Sequence, residues 1–159
     1  MFSLFKAPTF TDPTLGELRR SGGAWRGTIA LDTGRAAPLV VAGSRSAPDA
    51  SALAIARTLR ADYPSWRPAI ERALFEHLAP YAEAVAAGEA DPPTGGMPRI
   101  TTPAEVWSHV GVEHVSVLPL DGAPTVEIGY RTVWDEEHLL GARLRGGQLL
   151  ELNGSVRPP

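Results

Sequence analysis

The chain has no cysteine among its 159 residues. That removes thiolate nucleophiles, thiolate metal sites and a disulfide scaffold together. Lysine is almost missing as well. Lys6 is the sole one, and arginine supplies the other fourteen basic residues, a bias that fits the codon usage of a GC-rich genome. No apolar run approaches the ~20 residues of a membrane span. The opening Met1-Phe2-Ser3-Leu4-Phe5-Lys6 is too short for a signal peptide and carries its lysine on the wrong side. The expected location is therefore cytoplasmic, with no membrane partner. Nucleotide-binding glycine motifs, a Gly-x-Ser-x-Gly elbow and a His-Glu-x-x-His zinc motif are also missing. The nearest approach to the last is Glu113-His114.

What remains is ordinary globular material. Hydrophobic residues make up 43% and charged residues 21%, which argues against disorder. A chain this long buries about two-thirds of its extended-state surface, so no metal is needed for folding. A single domain spanning 1–159 is expected. The net charge of −3 is unevenly spread. Residues 1–72 hold ten basic against six acidic side chains, and residues 73–159 hold five against twelve. The basic half has no Lys/Arg block and no interleaved aromatics, so nucleic acid is not an expected partner.

The pattern runs from strand to helix and back to strand. Leu15–Arg20, Trp25–Leu31 and Pro38–Ala42 are separated by the turn signals Ser21-Gly22-Gly23 and Asp32-Thr33-Gly34, which predicts a three-stranded meander. Ser46-Ala47-Pro48-Asp49 has the form of a capping box opening a first helix through Leu53, Ala56 and Leu59. A second helix is expected from about Trp66, with Ile70, Leu74, Leu78, Tyr81 and Val85 as its buried stripe and Pro80 as a kink or break. Gly88–Pro98 reads as a long loop or lid. Thr102-Pro103-Ala104-Glu105 opens a short third helix ended by Gly111. Strands follow at Val112–Leu120, Thr125–Trp134, His138–Leu144 and Gln148–Leu152. For the last hairpin, a three-residue loop at Arg145-Gly146-Gly147 keeps one apolar face by pairing Ala142 with Leu150 and Leu140 with Leu152. The fold class is thus α+β: an antiparallel sheet built from both chain ends, covered on one face by two to three central helices.

Two stretches carry candidate chemistry. Trp134-Asp135-Glu136-Glu137-His138 places three carboxylates and an imidazole at one corner of the sheet. As a binding surface all five residues count. As a catalytic one, Glu137 would be a general base with His138 polarising a substrate. No metal or other cofactor is expected; a divalent ion there would draw on His138 with His109 or His114. Contiguous residues on extended backbone point alternately to opposite faces, so convergence needs a turn. A solvated polar connection, with His138 capping the sheet edge, outweighs both chemical readings. The second stretch, Ser44-Arg45-Ser46, lies before a helix N-terminus and is a candidate anion site, although serine there is more often only a cap.

Phe10-Thr11-Asp12-Pro13, Leu15-Gly16-Glu17-Leu18 and Trp25-Arg26-Gly27 at the front resemble a family of uncharacterised bacterial domains of unknown function. So does Trp134-Asp135-Glu136-Glu137-His138 with Gly141 at the back. The resemblance implies a stand-alone cytoplasmic α+β domain, and some similar domains travel with toxin–immunity systems. It implies no activity and no catalytic residues. The expected function is a non-enzymatic binding module, immunity-like in type, that meets a basic protein through its acidic C-terminal half. The alternative is a small metal-assisted hydrolase or ligand-binding enzyme at the Asp135–His138 corner. The sequence leaves the oligomeric state open.

Overall fold

The structure is a computed structural model describing residues 6–32 and 34–159. The opening hexapeptide up to Phe5, and Thr33 of the second turn signal, lie outside the described residues. Eight strands form one sheet in chain order: β1 (Thr9–Asp12), β2 (Gly16–Ser21), β3 (Ala24–Ile29), β4 (Ala37–Val41), β5 (Val110–Leu120), β6 (Ala123–Thr132), β7 (Leu139–Arg145) and β8 (Gln148–Val156). Every neighbouring pair is antiparallel except β4 and β5, which run parallel. The two chain ends therefore share one platform, as the sequence predicts, and the mixed α+β class holds. The wholly antiparallel sheet does not. Passing from β4 to a parallel neighbour requires a crossover connection, and the central helical segment supplies it.

That segment is one helix, α1 (Ala50–Ala86), rather than two. At 1.5 Å per residue, 37 residues extend about 55 Å. The expected break before Trp66 and the kink or break at Pro80 do not interrupt it, although Pro64, Pro68 and Pro80 all lie inside. All three prolines are exposed. The buried residues Leu59, Tyr63, Trp66, Ile70, Leu74 and Leu78 recur every three or four positions straight through them. Complete burial of Ile70 and Leu74 contributes roughly 1.5–3 kcal/mol each, enough to offset ladder bonds lost at exposed prolines. Tyr81 and Val85 at the end of the stripe are only half-buried. The helix start also differs. Asp49, not Ser46, is the N-cap, its carboxylate accepting from the Ala52 amide at 2.9 Å.

The third helix is a 3-10 helix (Pro103–His109). Glu105 reaches back to the Thr101 and Thr102 amides at 2.6 and 2.9 Å. It ends at His109, because Gly111 already belongs to β5. The last hairpin corrects the sequence reading too. Arg145 pairs with Gln148 across a two-residue turn in which Gly146 and Gly147 both have positive φ, 57° and 78°, the backbone of a type I′ turn. A register shift between Arg143 and Leu144 then brings Ala142 opposite Leu152. The bulge, not a longer loop, keeps the apolar face together, and Leu150 is left 48% exposed.

One sheet face packs on α1. On β6, Val126, Ile128, Tyr130 and Thr132 are buried there, alternating with Glu127, Gly129 and Arg131 on the far side. The end of β8 and the chain beyond it lie across that far side. A Cβ at Gly141 would come within 2.6 Å of Val156, and Arg26 on β3 donates to the Pro159 carbonyl at 2.7 Å. Both faces are thereby covered in part.

Candidate functional site

Past Thr132 the backbone leaves the sheet and bends, and this turn decides where the acidic run points. Trp134 and Asp135 go inward, 3% and 5% exposed. Glu136, Glu137 and His138 stay outside. The indole N–H of Trp134 donates to His77 Nδ1 at 3.1 Å. Because indole only donates, Nδ1 of His77 is bare. Burial holds the His77 pKa below the ordinary histidine value, against the opposing pull of Asp135.

Asp135 is the hub of the turn. Its Oδ2 accepts the Tyr81 hydroxyl at 2.7 Å, and its Oδ1 accepts His138 Nδ1 at 3.0 Å. The amides of Glu137 and His138 donate to the same Oδ1 at 3.3 and 3.2 Å. Its own amide donates to Thr132 Oγ1. Burial would raise the Asp135 pKa, but the hydrogen bonds from Tyr81 and His138 outweigh it and hold the group below the usual carboxylate value. The Tyr81 phenol moves the other way, to about 12, through burial and its bond to the ionised Asp135. One of the three carboxylates of the run is thus occupied with fixing the corner. It ties the turn to α1.

The outward residues border a groove of about 520 Å³ together with Glu113, Arg131 and Val133. Glu136 accepts from the Thr94 amide at 3.0 Å and so fastens the 88–98 segment to the rim. Arg131 donates to Glu113 at 2.7 Å. The Glu137 carboxylate accepts no hydrogen bond among the described residues. Val133, 41% exposed, adds an apolar patch. His138 is held at Nδ1 by Asp135 and its side chain is 43% exposed, so the groove wall sets three carboxylates, Glu113, Glu136 and Glu137, against the single guanidinium of Arg131.

His109 and His114 do not gather with His138. His109 meets the corner only through its carbonyl, which accepts the Val133 amide at 3.1 Å. His114 lies on the far sheet face, where Nε2 meets Glu127 at 3.0 Å. A register shift between Val112 and His114 puts it opposite Gly129. Among the described residues no group of three or more His, Asp or Glu side chains is arranged to hold a metal ion. At the other candidate stretch, Ser44 Oγ accepts from the Ser46 and Ala47 amides at 3.2 and 3.4 Å. Ser44 borders a cavity of about 590 Å³ at the start of α1, but Asp49 already places a carboxylate there, which disfavours a second anion.

Sequence reasoning missed Tyr81, Thr94, Glu113 and Arg131 as parts of the corner. Tyr81 carried a signal, being a phenol at the end of an apolar stripe, and a phenol there needs a polar partner. The others meet the corner only through tertiary structure.

A family model described as "Domain of unknown function (DUF6985)" matches residues 14–156. No curated protein matches the chain, and no solved structure does. No helix among the described residues is long and apolar enough to cross a membrane.

Proposed function

Since the chain belongs to this family of unknown function, its role has to be argued from its own groove, and we propose that it is a non-enzymatic binding module whose contact surface is the acidic rim at Glu136, Glu137 and Glu113. One observation carries this reading. The Asp135 hub commits its own charge to rigidity, while the Glu137 carboxylate, without a partner among the described residues, borders the same groove as the exposed Val133. A preformed, acceptor-rich groove with an apolar patch suits an arginine or lysine side chain, whose stem covers the valine while its head meets the acids. Steering by the acidic half speeds encounter with a basic partner by ~10-fold or more at low salt. A basic protein in the same compartment, as in a toxin–immunity pair, is the partner this reading favours, and the cytoplasm is the compartment it assumes.

The test is a pull-down from lysate at low and high salt, using the native chain beside a Glu136→Gln/Glu137→Gln variant. Recovery of a basic protein at low salt, lost at high salt and lost in the variant, supports the reading. No partner in either condition counts against it.

The rival is an enzyme at the same corner, and one contact favours it: His138 Nδ1 on the buried Asp135, an arrangement that orients an imidazole for proton transfer. In its metal-assisted form it requires stoichiometric zinc or manganese in the purified protein, lost in His138→Ala. Elemental analysis showing neither, with no thermal shift on adding either ion, removes that form.

A further inference from the structure

The far face of the sheet carries a second polar site, distant in role from the acidic corner. A cavity of about 340 Å³ lies between β5, β6 and β7 and the C-terminal tail, bordered by Ser116, Thr125, Glu127, Arg143, Ser155 and Arg157. That volume falls at the lower end of the range for small-ligand pockets.

Its hydrogen-bonding groups are unbalanced. On the acceptor side, each Glu127 oxygen is already taken, Oε1 by His114 Nε2 at 3.0 Å and Oε2 by Arg143 Nε at 2.9 Å. The Thr125 hydroxyl donates to the Ala123 carbonyl and accepts from Arg145. On the donor side, Arg143 places Nη1 on Glu151 at 2.7 Å, but its Nη2 has no partner among the described residues. The Arg157 guanidinium and the Ser155 hydroxyl also lack partners there. Most telling is Ser116. It is 4% exposed and borders the cavity, yet its hydroxyl makes no hydrogen bond among the described residues. That hydroxyl opens onto the cavity, where a guest can take it as a partner.

Charge points the same way. Arg143 is compensated by Glu127 and by Glu151, the latter 49% exposed at its side chain and therefore screened. Arg157 forms no ion pair among the described residues. A cavity with satisfied acceptors, spare donors and an uncompensated guanidinium fits an acceptor-rich, negatively charged guest. Arg143 and Arg157 both border that space, and guanidinium groups match the planar oxygens of a carboxylate or the tetrahedral oxygens of a phosphate.

We propose that this cavity binds a small molecule bearing an oxyanion, a carboxylate or phosphate group, held by Arg143 and Arg157 with the Ser116 hydroxyl donating from beneath. The tail forms one wall of the site, and the Arg26 bond to the Pro159 carbonyl keeps that wall closed. The site is independent of the acidic groove, and neither depends on the other being correct.

The experiment is a titration of the full chain with inorganic phosphate and, separately, with acetate and citrate, each against sodium chloride at matched ionic strength. Binding is read by calorimetry and by amide chemical shifts. Saturable shifts at Ser116, Arg143 and residues 155–157 are expected with at least one probe. Preference for phosphate or for a carboxylate identifies the guest's head group. Arg157→Ala, an exposed change that leaves the melting temperature alone, should weaken the preferred probe at least tenfold, and Ser116→Ala should weaken it several-fold. Shifts equal to those from chloride, or an affinity unchanged in Arg157→Ala, overturn the proposal.

Discussion

Replacing Asp135 by alanine removes the hub on which the corner turns, and its cost can be worked out from the contacts. The carboxylate accepts the Tyr81 hydroxyl, the His138 imidazole and two amides while 5% exposed. Bonds to a charged acceptor contribute about 1.5–3 kcal/mol net and ordinary ones about 1 kcal/mol. The two amides, at 3.2 and 3.3 Å, are at the weak end, and His138 regains water because it is half-exposed. Tyr81 dominates, with its hydroxyl bonded at 2.7 Å in a half-buried setting. The total for Asp135→Ala comes to roughly 3–4 kcal/mol. Asp135→Asn keeps one carbonyl acceptor and should cost about half as much. Urea unfolding at pH 7 gives both values. Acid supplies a further check. The folded pKa of Asp135 is depressed, so its stabilisation is present above the unfolded value of 3.8 and is lost as pH falls through the folded value. The native–variant difference should therefore be flat at neutral pH and shrink below about pH 4. A cost under ~1 kcal/mol, or equal costs for the two variants, would refute the hub.

Other perturbations follow from the fold. Arg57 donates to the buried Asp12 at 2.8 and 2.7 Å, and that bond holds the Asp12 pKa below its usual value. Arg57→Ala should destabilise by about 2–3 kcal/mol, less than a fully buried pair, since Arg57 is 44% exposed and two amides still serve Asp12. Chemical denaturation measures it, and the loss should fade as pH drops through the folded Asp12 pKa. Pro64 is exposed inside α1. Pro64→Ala should therefore raise stability by about 2 kcal/mol, the restored helix bond less the greater freedom of the unfolded chain. A lowered urea midpoint would mean that the proline serves the fold.

Most of the sheet was legible in the sequence because β6 alternates along its length and glycine pairs mark the β2–β3 and β7–β8 turns. β1 was not, since Thr9–Asp12 is four residues with no apolar alternation. The split of α1 arose from starting a second helix near Trp66, between Pro64 and Pro68. Yet Leu59, Trp66 and Ile70 already stood in phase across them, and that phase was the better guide. The terminal bulge at Leu150 leaves no mark in composition, and only the demand for one apolar face hints at it. The corner shows the same limit. Its acids were visible as a run, but which one turns inward depends on Tyr81, 54 positions away on α1. A run of like residues does not say which members are spent on structure.

Titrating the native chain with a short arginine-rich peptide at low salt, beside the Glu136→Gln/Glu137→Gln variant, puts the acidic groove to the most direct trial. The account predicts saturable binding that salt weakens, chemical shifts at Val133 and residues 136–138, and at least a tenfold loss of affinity in the variant. Equal affinity for the two proteins, or shifts confined to other surfaces, would contradict it.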